Sequence, residues 1–226
     1  MIVTIDGPAG AGKSSAARAL AQRLGFEFLD TGAMYRAVTL AGLRLGCDWS
    51  DAAAAAALLA SIRLDLPPGQ VLLNHEDITP LIRTPAVTAA SGVVASHPLV
   101  RQRLVERQRQ IATGRKIVCE GRDQGTIVFP DALCKFFLFA DPVERARRRH
   151  HELTARGETI SLAEVLRAQE ERDARDVARA LAPMVPAHDA ILLDSTQRTP
   201  EQVVEQMEHE VRQRMRLGAQ TRRDIS

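Results

Sequence analysis

The chain has 226 residues, 45% of them hydrophobic and 26% charged. This length and composition are typical of one globular domain, or of one domain with an insert, and they exclude a chain that is disordered for most of its length. A formal net charge of +2 and an aromatic content of 4% exclude a strongly basic or aromatic-rich nucleic-acid interface. We therefore expect no nucleic-acid partner.

The cysteines and the apolar segments predict the compartment. Cys47, Cys119 and Cys134 are odd in number and widely spaced, so they indicate neither a disulfide framework nor a zinc site. The chain has no signal-peptide pattern and no apolar run near the roughly 18 residues that a membrane span requires. We expect a cytoplasmic protein without a membrane partner.

Five short apolar runs predict buried strands, and helical patterns alternate with them. The strands are predicted at 2–6, 27–29, 116–120, 135–140 and 190–193. The helices are predicted at 13–24, 31–45, 51–60, 85–95, 98–113, 142–156, 161–179 and 199–215. The alternation predicts an α/β fold with an open five-stranded parallel sheet covered by helices on both faces, and it places ligands at the carboxyl ends of the strands.

Two parts of the chain depart from this alternation. The runs 62–66 and 71–75 flank Pro67-Pro68-Gly69, which predicts a hairpin. We expect this hairpin and the helices at 85–95 and 98–113 to form an inserted subdomain. We expect residues 218–226 to form a mobile tail.

A glycine-rich segment between the first strand and the first helix carries the strongest signal. Gly7-Pro8-Ala9-Gly10-Ala11-Gly12-Lys13-Ser14 matches the phosphate-loop pattern Gly-x-x-x-x-Gly-Lys-[Ser/Thr], and Ser15 follows it. In such a loop, backbone N–H groups and the helix N-terminus hold the phosphates of ATP, the lysine reaches the terminal phosphates, and the hydroxyl of Ser14 ligates Mg²⁺.

A phosphate loop alone is compatible with a kinase, a switch GTPase, a motor ATPase or a nucleotide-regulated binding protein. The Asn-Lys-x-Asp segment of a GTPase and the apolar strand ending in Asp-Glu of a motor ATPase are both absent from the sequence. A small kinase needs a second, basic pocket for the phosphoryl acceptor. Segments 30–36 and 120–126 leave two strand ends and supply Arg36, Arg122 and Asp123, although an ion pair that caps a loop would also explain the last two.

At these residues the chain resembles the bacterial cytidylate kinases, which belong to the phosphate-loop nucleoside monophosphate kinases. The resemblance covers about residues 2–210 and rests on the phosphate loop and on segments 29–37, 77–83, 98–101, 121–132 and 172–179. It implies transfer of the γ-phosphoryl group of ATP to CMP or dCMP, with Mg²⁺. It also implies a core of about 1–44 and 115–217, a monophosphate-binding insert of about 45–114 and a lid of about 148–161.

The resemblance assigns site residues as well. The CMP-binding candidates are Thr31, Tyr35, Arg36, Arg101, Arg122, Asp123, Arg172, Asp176 and Arg179. Among these, Asp123 and Arg101 are expected to contact the cytosine base, the other arginines to bind phosphate, and Asp176 to contact a sugar hydroxyl. The catalytic candidates are Lys13, Arg122, Arg172 and Arg175. An arginine among 145 and 147–149, beside the lid, is a candidate contact to the ATP phosphates.

Elementary chemistry agrees with these assignments. A carboxylate at Asp123 can accept from the 4-amino group of cytosine and would repel the 4-oxygen of uracil. The acceptor phosphate is already ionised near neutral pH, so no general base is required. Arg172, Arg175, Asp176 and Arg179 are spaced to share one helical face. A base-reading serine of the family falls at Gly92 by ungapped counting, one residue after Ser91, which leaves the role of Ser91 open.

Two alternatives remain. A UMP/CMP or adenylate kinase would use the same phosphate loop with a different base pocket. A nucleotide-dependent regulatory protein would use ATP only to switch partners. We expect a monomer, by analogy with small kinases of this type.

Overall fold

The computed structural model describes residues 1–155 and 157–223. Its strands are β1 (Ile2–Asp6), β2 (Glu27–Asp30), β3 (Leu64–Asp65), β4 (Leu72–Leu73), β5 (Glu76–Asp77), β6 (Ile117–Glu120), β7 (Cys134–Phe139) and β8 (Ile191–Asp194). Its helices are α1 (Lys13–Leu24), α2 (Thr31–Leu45), α3 (Ala52–Ser61), α4 (Pro85–Ser96), α5 (Pro98–Ala112), α6 (Pro142–Ala155), α7 (Leu162–Val177) and α8 (Pro200–Arg223), and a π-helix spans Gln124–Val128.

The chain divides into two compact units. The first unit contains Met1–Leu29 and the chain from Ala112 onward, and the second unit contains Asp30–Ile111. Among the described residues no helix combines the length and the apolar character needed to cross a membrane.

The first unit is built on the five-stranded sheet, with strand order β2-β6-β1-β7-β8. β1 pairs in parallel with both β6 and β7, so Val3 lies between Val118 and Cys134, and β7 pairs in parallel with β8. All five predicted strands and the α/β class are confirmed. Because the strands are parallel, the segments that follow β1 and β6 leave the same edge of the sheet, and β1 lies at its centre.

Helices α1 and α8 cover the sheet in the first unit. Leu20 of α1 and Met207 of α8 are fully buried in one cluster with Val3, Phe136 and Leu138 of the strands. The helical spacing of the apolar residues in α1 and α8 supplies this buried face, as the sequence predicts. A smaller cluster, formed by Ala146, Leu153 and Val165, joins α6 to α7.

In the second unit, α2 begins at an N-cap in which the Asp30 carboxylate accepts from the amide of Ala33 at 2.8 Å. α2 packs against α3 and α4, so it lies in the second unit, whereas the sequence analysis placed residues 31–44 with the core. The predicted hairpin is present as β3 and β4, and a third antiparallel strand, β5, joins it. The polar residues of β5, Glu76 and Asp77, give no apolar signal, which is why the sequence did not predict it.

Two helix ends differ from the predictions. α7 ends at Val177 rather than at residue 179, so Arg179 lies beyond the helix. α8 continues to Arg223 instead of ending near Met215, because residues 216–223 are mostly good helix formers without proline. The predicted tail is therefore helical from 218 to 223, and its last positions, 224–226, lie outside the described residues.

The predicted lid, 148–161, is described except at position 156. Residues 148–155 form the last turns of α6. Ser161 caps the start of α7 in a capping box with Glu164. The predicted lid therefore includes the end of α6 and the connection to α7.

Gly7 generates a stability prediction. A Cβ at this position would lie 2.0 Å from the carbonyl oxygen of Leu138, at a φ of +138°. We expect Gly7→Ala to lower the free energy of unfolding by about 3 kcal/mol or more, because the clash is with backbone and cannot relax by side-chain rotation. Urea unfolding of Gly7→Ala and of the unchanged protein measures the difference.

Gly25→Ala is the matched control. Gly25 also has a positive φ, +66°, but a Cβ there would meet nothing within 4 Å. It should cost about 1–2 kcal/mol, the strain of the left-handed backbone alone. Equal losses for the two variants would contradict the close approach of Gly7 to β7.

Candidate active site

The phosphate-loop segment forms the turn that its glycines predict. After β1 ends at Asp6, the chain has positive φ angles at Gly7, Gly10 and Gly12, of 138°, 78° and 88°. α1 begins at Lys13 without a side-chain cap on its first N–H groups. Such a helix start can donate its backbone N–H groups to an anion. The structure thus confirms the strand, turn and helix context that the sequence motif requires.

Lys13 is the centre of a group of cations. Its side chain is buried, and its pKa is lowered from 10.5 to about 7 by burial first and then by the positive charges of Arg122 and Arg172. Glu120 and Asp6 act in the opposite direction. Bringing three cations together in a poorly solvated place is unfavourable by itself and becomes favourable when an anion binds among them.

The ammonium of Lys13 also has a partner within the loop. Its Nζ donates to the carbonyl oxygen of Pro8 at 2.6 Å. Lys13 therefore folds back over the loop that the sequence predicts to hold phosphates. Ser14 is half-buried and Ser15 is exposed at the start of α1.

Asp6 is a site residue that the sequence analysis missed. Its buried carboxylate accepts from the amides of Gln124 at 2.9 Å and Gly125 at 2.7 Å. Burial raises its pKa from 3.8 to about 6, although the two backbone hydrogen bonds act in the lowering direction. The bonds attach the carboxyl end of β1 to the segment that carries Arg122 and Asp123. A charged residue at the end of an apolar strand was the available signal.

Arg122, Asp176 and Arg179 are brought together in the first unit. Arg122 Nε donates to Asp176 Oδ2 at 3.0 Å, and Arg179 donates to the other oxygen of the same carboxylate. Asp176 is 3% exposed, so this carboxylate is shared by two arginines in a nearly dry environment. Asp123 is also buried, at the residue before the π-helix. The arrangement fixes the orientation of two arginines that the resemblance assigns to phosphate binding.

Arg175 is not brought into this group. It is exposed, and its Nε donates to the carbonyl oxygen of Glu171, one turn earlier in the same helix. Arg172, three residues before it, lies within electrostatic range of Lys13. The two arginines, which the sequence analysis treated alike, therefore have different surroundings.

In the second unit, the predicted acceptor residues lie on α2 and α5. Thr31 and Tyr35 are buried, and the guanidinium of Arg101, itself 6% exposed, lies 5.9 Å from the centre of the Tyr35 ring. Arg36 donates to the carbonyl oxygen of Ile82 at 3.2 Å and to Thr88 Oγ1 at 2.8 Å. The structure thus pairs Tyr35 with Arg101 and directs Arg36 toward α4.

The remaining candidates are Ser91 and the arginines beside the predicted lid. Ser91 lies in α4 and donates to the carbonyl oxygen of Thr88, and its base-reading role stays a prediction. Arg148 donates hydrogen bonds to Glu144 and to the carbonyl oxygen of Ser195, and Arg149 donates to Glu152. Arg145 is buried against the phosphate loop, and Gln169 and Asp173 contact the same loop. The sequence analysis did not name these last two residues as candidates.

Comparisons with known proteins identify the family of the chain. The family model described as cytidylate kinase matches residues 3–213. The chain belongs to the cytidylate kinase family. It is 48% identical over 219 residues to a cytidylate kinase of Rhodopirellula baltica, covering 97% of this chain and 96% of that one. It is also 48% identical over 207 residues to a cytidylate kinase of Pelotomaculum thermopropionicum, covering 89% of this chain and 92% of that one.

A solved structure supports the fold. A crystal structure of an uncharacterized protein from Eubacterium ventriosum covers 94% of this chain and 98% of its own, with a TM-score of 0.53 and 13% identity. At this identity the likeness concerns the fold alone.

The lowered pKa of Lys13 predicts proton uptake on binding of a nucleoside triphosphate such as ATP. At pH 8 the amine is mostly neutral because its pKa lies near 7. A phosphate anion raises that pKa, so binding at pH 8 should take up about one proton, whereas at pH 6 the amine is already charged and takes up almost none. Calorimetric titration in buffers of different ionisation enthalpy measures the uptake.

Lys13→Met provides the control, because ATP and Asp6 also titrate in this range. The uptake assigned to Lys13 is the difference between the unchanged protein and this variant. The difference should be large at pH 8 and small at pH 6. A difference that does not change with pH would contradict the lowered pKa.

Proposed function

We propose that the protein transfers the γ-phosphoryl group of ATP to CMP or dCMP, giving ADP and CDP or dCDP. The observation that carries this proposal is the buried Lys13 at the phosphate loop with Arg122 and Arg172 close enough to lower its pKa. Membership of the cytidylate kinase family supports the choice of acceptor. A protein that only switches partners on binding ATP has no need of arginines assembled for a second phosphate group.

Catalysis in this proposal is positioning and charge neutralisation. The attacking group is an oxygen of the acceptor phosphate, which is ionised near neutral pH, so no side chain has to remove a proton. Lys13 and Arg172 hold the transferring group as negative charge moves between the oxygens, and Arg122 and Arg179 bind the acceptor phosphate. The shared carboxylate of Asp176 keeps these last two guanidinium groups oriented before the substrate arrives.

The donor set fits Mg²⁺ bound mainly through substrate. Among residues 1–155 and 157–223 no group of three His, Cys, Asp or Glu side chains could hold a metal by itself. Mg²⁺ commonly takes one or two protein ligands and completes its shell with phosphates and water. We propose that Ser14, at the start of α1, contributes its hydroxyl. When bound, the ion would neutralise charge on the ATP phosphates.

Base selection is assigned to two buried residues. Asp123 would accept from the 4-amino group of cytosine, and Arg101 would donate to the acceptors of the ring. Both are less than 7% exposed, Asp123 at 4% and Arg101 at 6%. An unmatched base would leave buried polar groups unpaired, which is costly. In the second unit, we also propose Thr31, Tyr35 and Arg36 as ligands of the monophosphate.

We further propose a cytoplasmic monomer that acts on free nucleotides, without a nucleic-acid or membrane partner. Cys47, Cys119 and Cys134 are unbridged thiols, which fits a reducing compartment. Residues 45–114 would bind the monophosphate, and residues 148–161 would close over ATP. Arg175 is left out of the catalytic group, because it is exposed and engaged by its own helix.

The first experiment is an ADP-release assay with ATP and Mg²⁺ against CMP, dCMP, UMP and AMP. CMP and dCMP should be the best acceptors. Asp123→Asn should lower kcat/KM for CMP by about 10–100-fold and bring UMP closer to CMP, because the amide can donate to the 4-oxygen of uracil. Asp131→Asn, at an exposed position in the same connection, should behave like the unchanged protein.

Other outcomes would select the alternatives. A preference for UMP or AMP would make the protein a different nucleoside monophosphate kinase. ATP hydrolysis without a phosphorylated nucleotide product would favour the regulatory protein.

A second prediction separates Arg172 from Arg175. Arg172→Lys should lower kcat by about 100-fold, because the charge next to Lys13 is displaced and the planar donor group is lost. Arg175→Lys should change kcat by less than about twofold, in keeping with its exposed position. Steady-state kinetics with saturating ATP and CMP measures both, and melting temperatures verify that both variants are folded. A comparable loss in Arg175→Lys would return Arg175 to the catalytic group.

A further inference from the structure

The backbone of Ala9, in the phosphate loop, is held by side chains at both its N–H and its carbonyl oxygen. Its carbonyl oxygen accepts from Arg145 Nη1 at 2.9 Å and from Gln169 Nε2 at 2.9 Å. Its N–H donates to Asp173 Oδ1 at 3.4 Å. A carbonyl oxygen has two lone pairs, so both are used by these donors. Both backbone polar groups of Ala9 are therefore bound by protein side chains.

Arg145 is fixed by further contacts. Its Nη1 pairs with Asp173 Oδ2, and the two side chains are 7% and 15% exposed. Its Nε donates to the carbonyl oxygen of Ala140, just after β7. The guanidinium thus connects the sheet, α7 and the loop, and its burial makes the loss of either charged partner costly.

The loop also packs closely on α6 and α7. A Cβ at Gly10 would lie 3.0 Å from Gln169 Nε2 and 3.1 Å from the carbonyl oxygen of Arg145. Gln169 is 7% exposed, and its Oε1 is buried without a hydrogen-bond partner. The orientation of this amide is therefore set by its bond to Ala9. The loop is therefore tightly packed against both helices at Gly10.

We propose that Arg145, Gln169 and Asp173 form a clamp that positions the phosphate loop for phosphoryl transfer. α7 carries two members of the clamp and also carries Arg172 and Asp176. The clamp therefore fixes the loop that holds the donor phosphates to the helix that carries the arginine beside Lys13. In-line transfer depends on that distance, and a small misplacement lowers the rate strongly.

Within this proposal Arg145 is a positioning residue and not a ligand of ATP. Its Nε and Nη1 are engaged by protein oxygens, and the side chain is almost excluded from solvent. Asp173, a carboxylate, would repel the nucleotide phosphates, so its place beside the loop is explained by the Ala9 amide and Arg145. The inference rests on the proposed function only for its rate measurements.

The test uses substitutions that preserve size. Asp173→Asn and Arg145→Lys should each weaken ATP binding and lower kcat by about tenfold, the effect of losing a charge-assisted hydrogen bond, with KM for CMP within about twofold. Gln169→Met leaves the buried ion pair intact and should shift the same two quantities by about threefold. The double variant Arg145→Lys/Asp173→Asn should be no worse than its more affected parent, because both changes open the same clamp.

Glu171→Gln and Arg167→Lys, at exposed positions of α7, are the matched controls and should leave every quantity unchanged. Calorimetry gives the Kd of ATP without acceptor, steady-state assays give kcat and KM, and melting temperatures follow stability.

Two outcomes would overturn the clamp. Arg145→Lys could weaken ATP binding while Asp173→Asn and Gln169→Met leave it unchanged, which would make Arg145 a direct phosphate ligand. Alternatively, all variants could lower the melting temperature without changing Kd or kcat of the folded protein, which would make the contacts structural only. If the unchanged protein binds ATP and phosphorylates no CMP, the proposed function fails, and the Kd comparison still decides on the clamp.

Discussion

The rest of the site depends on the buried carboxylate of Asp6. This group ends the central strand, β1, and its two oxygens accept from the amides of Gln124 and Gly125. Burial raises its pKa to about 6, so the two bonds compensate a charge that water would otherwise solvate. They hold the segment after β6 against the end of β1, where the phosphate loop starts. These attached segments carry Lys13 and Arg122, and the positive charge of Arg122 lowers the pKa of Lys13.

The same site combines repulsion between positive charges with hydrogen bonds that hold the surrounding groups in place. The positive charges of Arg122 and Arg172 lower the pKa of the buried Lys13, and an anion that binds among them would relieve this repulsion. Asp176 is shared by Arg122 and Arg179, and the carbonyl of Ala9 is held from α6 and α7. In the proposed site, the charges that would face substrate are thus oriented by neighbouring side chains, which suits a reaction that needs no general base.

Sequence patterns predicted those parts of the fold in which the local signal and the tertiary environment agree. The five strands are short apolar runs and are buried as such, and the phosphate loop has its glycines at the positive φ angles that favour glycine. Where the local signal is weak, the predictions were wrong or incomplete. β5 is polar, the π-helix at Gln124–Val128 has no periodic pattern, and α8 continues beyond Met215 through helix-forming residues that lack an apolar periodicity.

The sequence by itself determined the α/β class, the phosphate loop with Lys13, the family and the residues that carry its motifs. Only the tertiary structure decided which of these residues meet. The N–H and the carbonyl oxygen of Ala9 are bound by Arg145, Gln169 and Asp173, which lie 136, 160 and 164 positions away along the chain. Arg175 has the same spacing signal as its neighbours but is engaged by its own helix. The physical reason is that periodicity reports which face of an element is apolar, whereas the partner of a buried polar group is set by how distant elements pack.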